Sequence, residues 1–122
     1  MSTFKSKAFE RFARKAGLTD AQLAVAAEQV MAGCFDADLG GGVYKQRVAR
    51  SGSGKSGGFR TLLAFRAGRS CFFVYGFAKS AKASVTLREL RALQNYAAVL
   101  LAYDEGDLTQ AIEMGDLLEL EL

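Results

Sequence analysis

The chain has 122 residues, half of them apolar and 24% charged, with two cysteines and no histidine, proline or tryptophan. That length suits one domain over 1–122; nine Phe and four Tyr exclude a disordered chain, and missing histidine excludes His-based triads and Cys/His zinc sites. Net charge is +3, laid out unevenly: 1–40 balance, 41–91 hold eleven basic groups against Glu89 alone, and 92–122 hold seven acids without Lys or Arg.

Phe4 to Lys15 mixes apolar and basic residues, with Phe4, Ala8, Phe9, Phe12 and Ala16 at helical spacings. A short strand at Thr3–Lys5 feeding a helix from about Ser6, closed by Gly17, is expected. Thr19-Asp20-Ala21-Gln22 reads as a capping box that opens a second helix to Ala32. Leu23, Ala26, Ala27, Val30 and Met31 form its apolar face, and Gly33 supplies the left-handed end. The two make a helical hairpin.

From Gly40 the period changes to two. Val43–Val48 reads as a strand, and Phe59–Arg66 as another, with Phe59, Thr61, Leu63 and Phe65 opposite Arg60, Leu62, Ala64 and Arg66. Ala67-Gly68 makes a tight turn into a third strand, Arg69–Phe77, bulky on both faces and so central. Strict alternation there puts Cys71, Phe73, Tyr75 and Phe77 together. Between the first two strands lies Ser51–Gly58, polar and glycine-rich. Thr86-Leu87-Arg88-Glu89 opens a helix through Leu90, Leu93, Ala97, Leu100 and Leu101. Asp107-Leu108-Thr109-Gln110 reads as a third box for a short helix ended by Gly115, and Leu117–Leu122 as an edge strand. The class is α+β: a helical hairpin packed on a small antiparallel sheet, then C-terminal helices.

No apolar run approaches the roughly 20 residues of a membrane span, and the first residues carry no apolar signal core. Cys34 and Cys71 make no disulfide framework, which fits a cytoplasmic protein. The run of positive charge over 41–91 points to a polyphosphate partner. Gly54-Lys55-Ser56 imitates the end of a nucleotide-binding loop, but that motif needs glycine where Ala49 stands and a helix where Phe59 begins a strand. A basic hairpin loop or a plain connection remains.

Lys45, Arg47 and Arg50 follow one another on and just after a strand, and Arg60 on the next strand comes close. Clustered cations suit a bound anion and favour a lysine that gives up its proton near neutral pH, a candidate general base. Lys79 and Lys82, just past the central strand, either join that cluster or solubilise a loop. Phe72, Phe73, Tyr75 and Phe77 read as core, not as a base-stacking platform. The acidic finish suggests a shield, with Glu119 and Glu121 repelling non-specific RNA from the basic surface, or else a plain solvated face.

Val43-Tyr44-Lys45-Gln46-Arg47-Val48, Gly57-Gly58-Phe59-Arg60 and Phe72-Phe73-Val74-Tyr75-Gly76-Phe77-Ala78-Lys79 together resemble the RelE/HigB toxins of bacterial type II toxin–antitoxin pairs. The resemblance covers about Phe4 to Leu101 and extends at both ends as in the HigB-like branch. It implies a RelE-like α+β toxin that enters the ribosomal A site and cuts translated messenger RNA, without metal or small-molecule cofactor. It further implies catalytic Lys45, Arg47, Arg60 and Lys79; the basic stretch around them adds Arg50, Lys55, Arg66, Arg69 and Lys82 as expected RNA contacts. An antitoxin partner with a helix-turn-helix DNA-binding unit follows, and no membrane partner. Many members carry a tyrosine or histidine near the C-terminal end; Lys79–Val85 has neither, and Tyr75 lies inside the strand. Three alternatives stay open: a nucleic-acid-binding module without catalysis, a toxin of this fold that poisons a protein such as gyrase, and a scaffold that binds an acidic partner.

Overall fold

The computed structural model describes residues 2–49 and 58–121; Arg50, Lys55 and most of the glycine-rich loop lie outside them. In chain order come β1 (Thr3–Ser6), α1 (Lys7–Ala16), α2 (Asp20–Met31), β2 (Ala37–Asp38), β3 (Val43–Val48), β4 (Phe59–Ala64), β5 (Cys71–Ala78), α3 (Leu87–Leu101), α4 (Glu105–Glu113) and β6 (Leu117–Glu119). The sheet order is β2-β3-β4-β5-β1-β6. The expected antiparallel meander is present, but β1 inserts beside β5 in parallel, and β6 pairs antiparallel with β1 at the edge. β5 is therefore central, as its two-sided bulk requires.

Local signals end the helices where the sequence places them. Ser6 Oγ accepts the Phe9 N–H at the start of α1, and Gly17 closes it at φ 73°, a left-handed conformation that suits glycine. Thr19 with Gln22 and Thr86 with Glu89 form both halves of their capping boxes. The third box differs from expectation. Asp104 and Asp107 cap each other, so α4 begins at Glu105 and Asp107 is inside its first turn. Two acids at a helix start also meet the positive end of its dipole.

Both sheet faces are covered, unequally. Phe9, Ala13, Leu23, Ala26 and Val30 of the helical hairpin pack on Val48, Phe59, Leu63, Cys71 and Phe73. On the other face α3, with Ala97, Leu100 and Leu101, packs on Val43, Leu62, Ala64, Phe72 and Val74. These strand residues lie toward the β4–β5 turn, so α3 does not cover the other end of its face, which is open among the described residues. Cys71 is sealed in the core, where burial pushes its thiol up to about 12, while Cys34 is exposed.

One irregularity changes which side chains share a face. Leu62 pairs with Tyr75 but Leu63 pairs with Phe73, leaving Val74 as an extra residue on β5. Beyond it the alternation inverts. Cys71 and Phe73 face the helical hairpin, whereas Tyr75 and Phe77 turn to the α3 face, contrary to strict period-two reading. Gly76 then points toward α1, where an added Cβ would lie 2.3 Å from the Phe12 ring.

Candidate active site

On the α3 face the register arranges two transverse rows. Lys45, Leu62 and Tyr75 form one; Arg47, Arg60 and Phe77 form the next, toward the open end. Directly opposed residues on antiparallel strands share a face, so Arg47 and Arg60 stand side by side as like charges. No ion pair relieves Lys45, Arg47, Arg60 or Lys79 among the described residues. Arg60 is half-buried, and its Nη1 is fully buried without a hydrogen-bond partner among the described residues. Such a donor costs roughly 1–3 kcal/mol unless something accepts from it. Arginine paired with arginine, donors bare, suits a bidentate oxyanion such as phosphate.

The single acid of the basic stretch borders this surface. Glu89, at the start of α3, accepts from Lys82 Nζ at 2.8 and 2.9 Å and from the Tyr75 hydroxyl at 3.1 Å. Lys82 Nζ also lies 3.4 Å from the Tyr75 oxygen and 5.6 Å from its ring centre. The Lys82 bond, helped by the Thr86 N–H, pulls the Glu89 carboxyl down to about 2. The same bond raises Lys82 above the ordinary lysine range. Lys82 thus joins the cluster's face, over Tyr75 and Phe77, but arrives already neutralised.

Lys79 is exposed just past β5; its N–H donates to Gly58 O at 3.4 Å, which anchors its backbone at the Arg60 end. Arg66 and Arg69 do not join. They are exposed at the β4–β5 turn, the far end of β4 from Arg60, about 20 Å away at strand rise. The acidic finish cannot shield the arginines either. β6 is three strands from β4, roughly 14 Å, beyond a Debye length of about 8 Å. Leu117 packs on the α3 side and Leu120, just past β6, on the hairpin side, as the alternation of the run requires.

Sequence reasoning missed Tyr75 and Glu89 as neighbours of the site. The capping box already placed Glu89 one turn into α3, and it is the one acid in a basic run, which was the available signal. A second ionic centre was also missed, on the opposite face. Lys5, 6% exposed, donates to Glu10 at 2.9 Å and Asp20 at 2.8 Å. Among the described residues no group of three or more acidic or cysteine side chains is placed to hold a metal ion, and no helix is long and apolar enough to cross a membrane.

The family described as the RelE toxin of the RelE / RelB toxin-antitoxin system matches the chain over residues 1–120. No curated protein matches it.

Proposed function

Because the chain belongs to the RelE toxin family, the toxin half of a toxin–antitoxin pair, we propose that it is a metal-independent endoribonuclease that cuts translated messenger RNA on the ribosome and so inhibits translation in the cytoplasm. The observation that carries this reading is the Arg47–Arg60 pair, with Arg60 Nη1 buried and unpartnered. In RNA cleavage the 2′-oxygen attacks the adjacent phosphorus, and charge builds on the phosphate oxygens in the transition state. Two guanidinium groups fixed in advance on neighbouring strands stabilise that charge without reorganising. Lys45, in the next row, takes the 2′-hydroxyl proton as general base. Lys79 holds the substrate backbone at the open end, and Arg50 and Lys55 extend the contact. The ribosome supplies orientation, which lowers the demand on the acid–base groups. The cognate antitoxin, a helix-turn-helix DNA-binding protein in this reading, holds the activity in check.

The test is to map new 5′ ends on translated messages after induction of the wild type and of Arg60→Ala. Cuts within codons that vanish in the variant are expected. Undiminished cuts would remove Arg60 from the site. Growth arrest without any cuts would favour a protein target or non-catalytic binding.

A further inference from the structure

Cleavage also needs a proton for the departing 5′-oxygen, and the arginines cannot release one at neutral pH. The described groups of this surface that carry a transferable proton are Lys45, Lys79, Lys82 and Tyr75, since Glu89 is held as a carboxylate. Lys45 is assigned to the base. Lys82 is bound twice to Glu89, and Lys79 lies exposed beyond the strand. Tyr75 differs from these. The extra residue Val74 turns its side chain onto the Arg60 face, diagonally across from Arg60 through the Leu62 and Phe77 pairings. Diagonal neighbours lie about 7–8 Å apart at the backbone, within reach of two long side chains that converge on one phosphate.

Resting on the ribonuclease reading above, we propose that Tyr75 is the general acid, donating its phenolic proton to the leaving 5′-oxygen, with Lys82 stabilising the phenolate and Glu89 positioning both. Before reaction the hydroxyl donates to Glu89 at 3.1 Å, which holds the phenol in place on this face. When substrate is bound, the hydroxyl hydrogen turns to the 5′-oxygen. The 2′-oxygen–phosphorus bond forms, the phosphorus–5′-oxygen bond breaks, the phenolic O–H breaks and a 5′-OH forms. The phenolate faces Lys82 Nζ, 3.4 Å away in the free protein, and regains its proton from water. Glu89 retains its bonds to Lys82 throughout, so the ammonium stays in place. Proton donation of this kind is worth about 10²–10⁴-fold in rate.

Tyr75→Phe removes the hydroxyl and keeps the ring that contacts Phe77. The experiment compares two messages bound on the ribosome, identical except that one carries sulfur in place of the 5′-oxygen at the cut site. A thiol of pKa about 8.5 leaves without a proton donor. Tyr75→Phe should cut the ordinary message at least about 100-fold more slowly than wild type and the 5′-thio message at the wild-type rate. Full speed on the ordinary message, or equal slowing on both, overturns the assignment while leaving the ribonuclease reading intact. A wild type that cuts neither message overturns both.

Discussion

Lys5 and Arg60 are both cations held in a sheet, and they are built by opposite rules. Lys5 sits 6% exposed between two carboxylates, and its second partner, Asp20, also accepts the Glu121 N–H at 2.8 Å. That centre ties β1, α1, α2 and the end of the chain together. Arg60 faces Arg47 and buries a donor that nothing among the described residues receives. The first arrangement is complete within the protein, as buried charge must be to survive desolvation. The second is left incomplete among the described residues, and in the proposed reading an anion completes it. The contrast is between charge paired within the fold and charge left unpaired.

Breaking each side of the contrast should give different phenotypes. The largest effect is expected from Arg60→Ala: growth inhibition at matched expression falls with a loss of about 10²–10³-fold in cleavage rate, while the thermal melt is unchanged or improved. Arg47→Ala should follow in the same direction. Lys5→Met should do the reverse. Stripping one partner from a buried ionic centre costs about 3 kcal/mol, read as a lower urea midpoint, with activity per folded molecule retained. Gly76→Ala sharpens the point that the site's geometry depends on packing behind it. The new methyl would press on Phe12, costing about 1–3 kcal/mol by overpacking, measured by denaturant titration.

The smallest effect concerns acid. Burial opposes ionisation of Asp20, but the bonds from Lys5 and the Glu121 N–H outweigh it and hold the carboxyl below 3.8. Glu89 is pulled to about 2, chiefly by its bond from Lys82. Both are depressed, so their stabilisation is present above the unfolded carboxyl range and is lost as pH falls through the folded values. Asp20→Asn and Glu89→Gln should each flatten the fall of the unfolding midpoint between about pH 4.5 and 2. An unchanged slope in both would discard the linkage.

What the sequence shows depends on how local the cause is. Thr19 with Gln22 and Thr86 with Glu89 are three residues apart, and their boxes were legible. Asp107 with Gln110 has the same spacing as Asp104 with Asp107, and only the fold chooses between them. Lys45 and Arg47 were placed correctly with Arg60 because β3 pairs with β4 without interruption. Tyr75 was assigned to the wrong face because the bulge at Val74 is set by pairing across the sheet, which period-two reading cannot see. The parallel insertion of β1 beside β5 joins residues about seventy apart in the chain, and nothing near Thr3 announces it.

The order of the strands has one more consequence. The arginine pair sits on β3 and β4 toward one edge of the sheet, while β6 and the adjoining α4 carry acids at the other. The molecule is therefore an electric dipole whose axis runs across the strands. In the field of a large polyanion a dipole turns before it touches, positive edge first. The acidic edge need not cover the arginines to matter: acting as the tail of a compass needle, it biases each encounter with a polyanion toward the arginine edge.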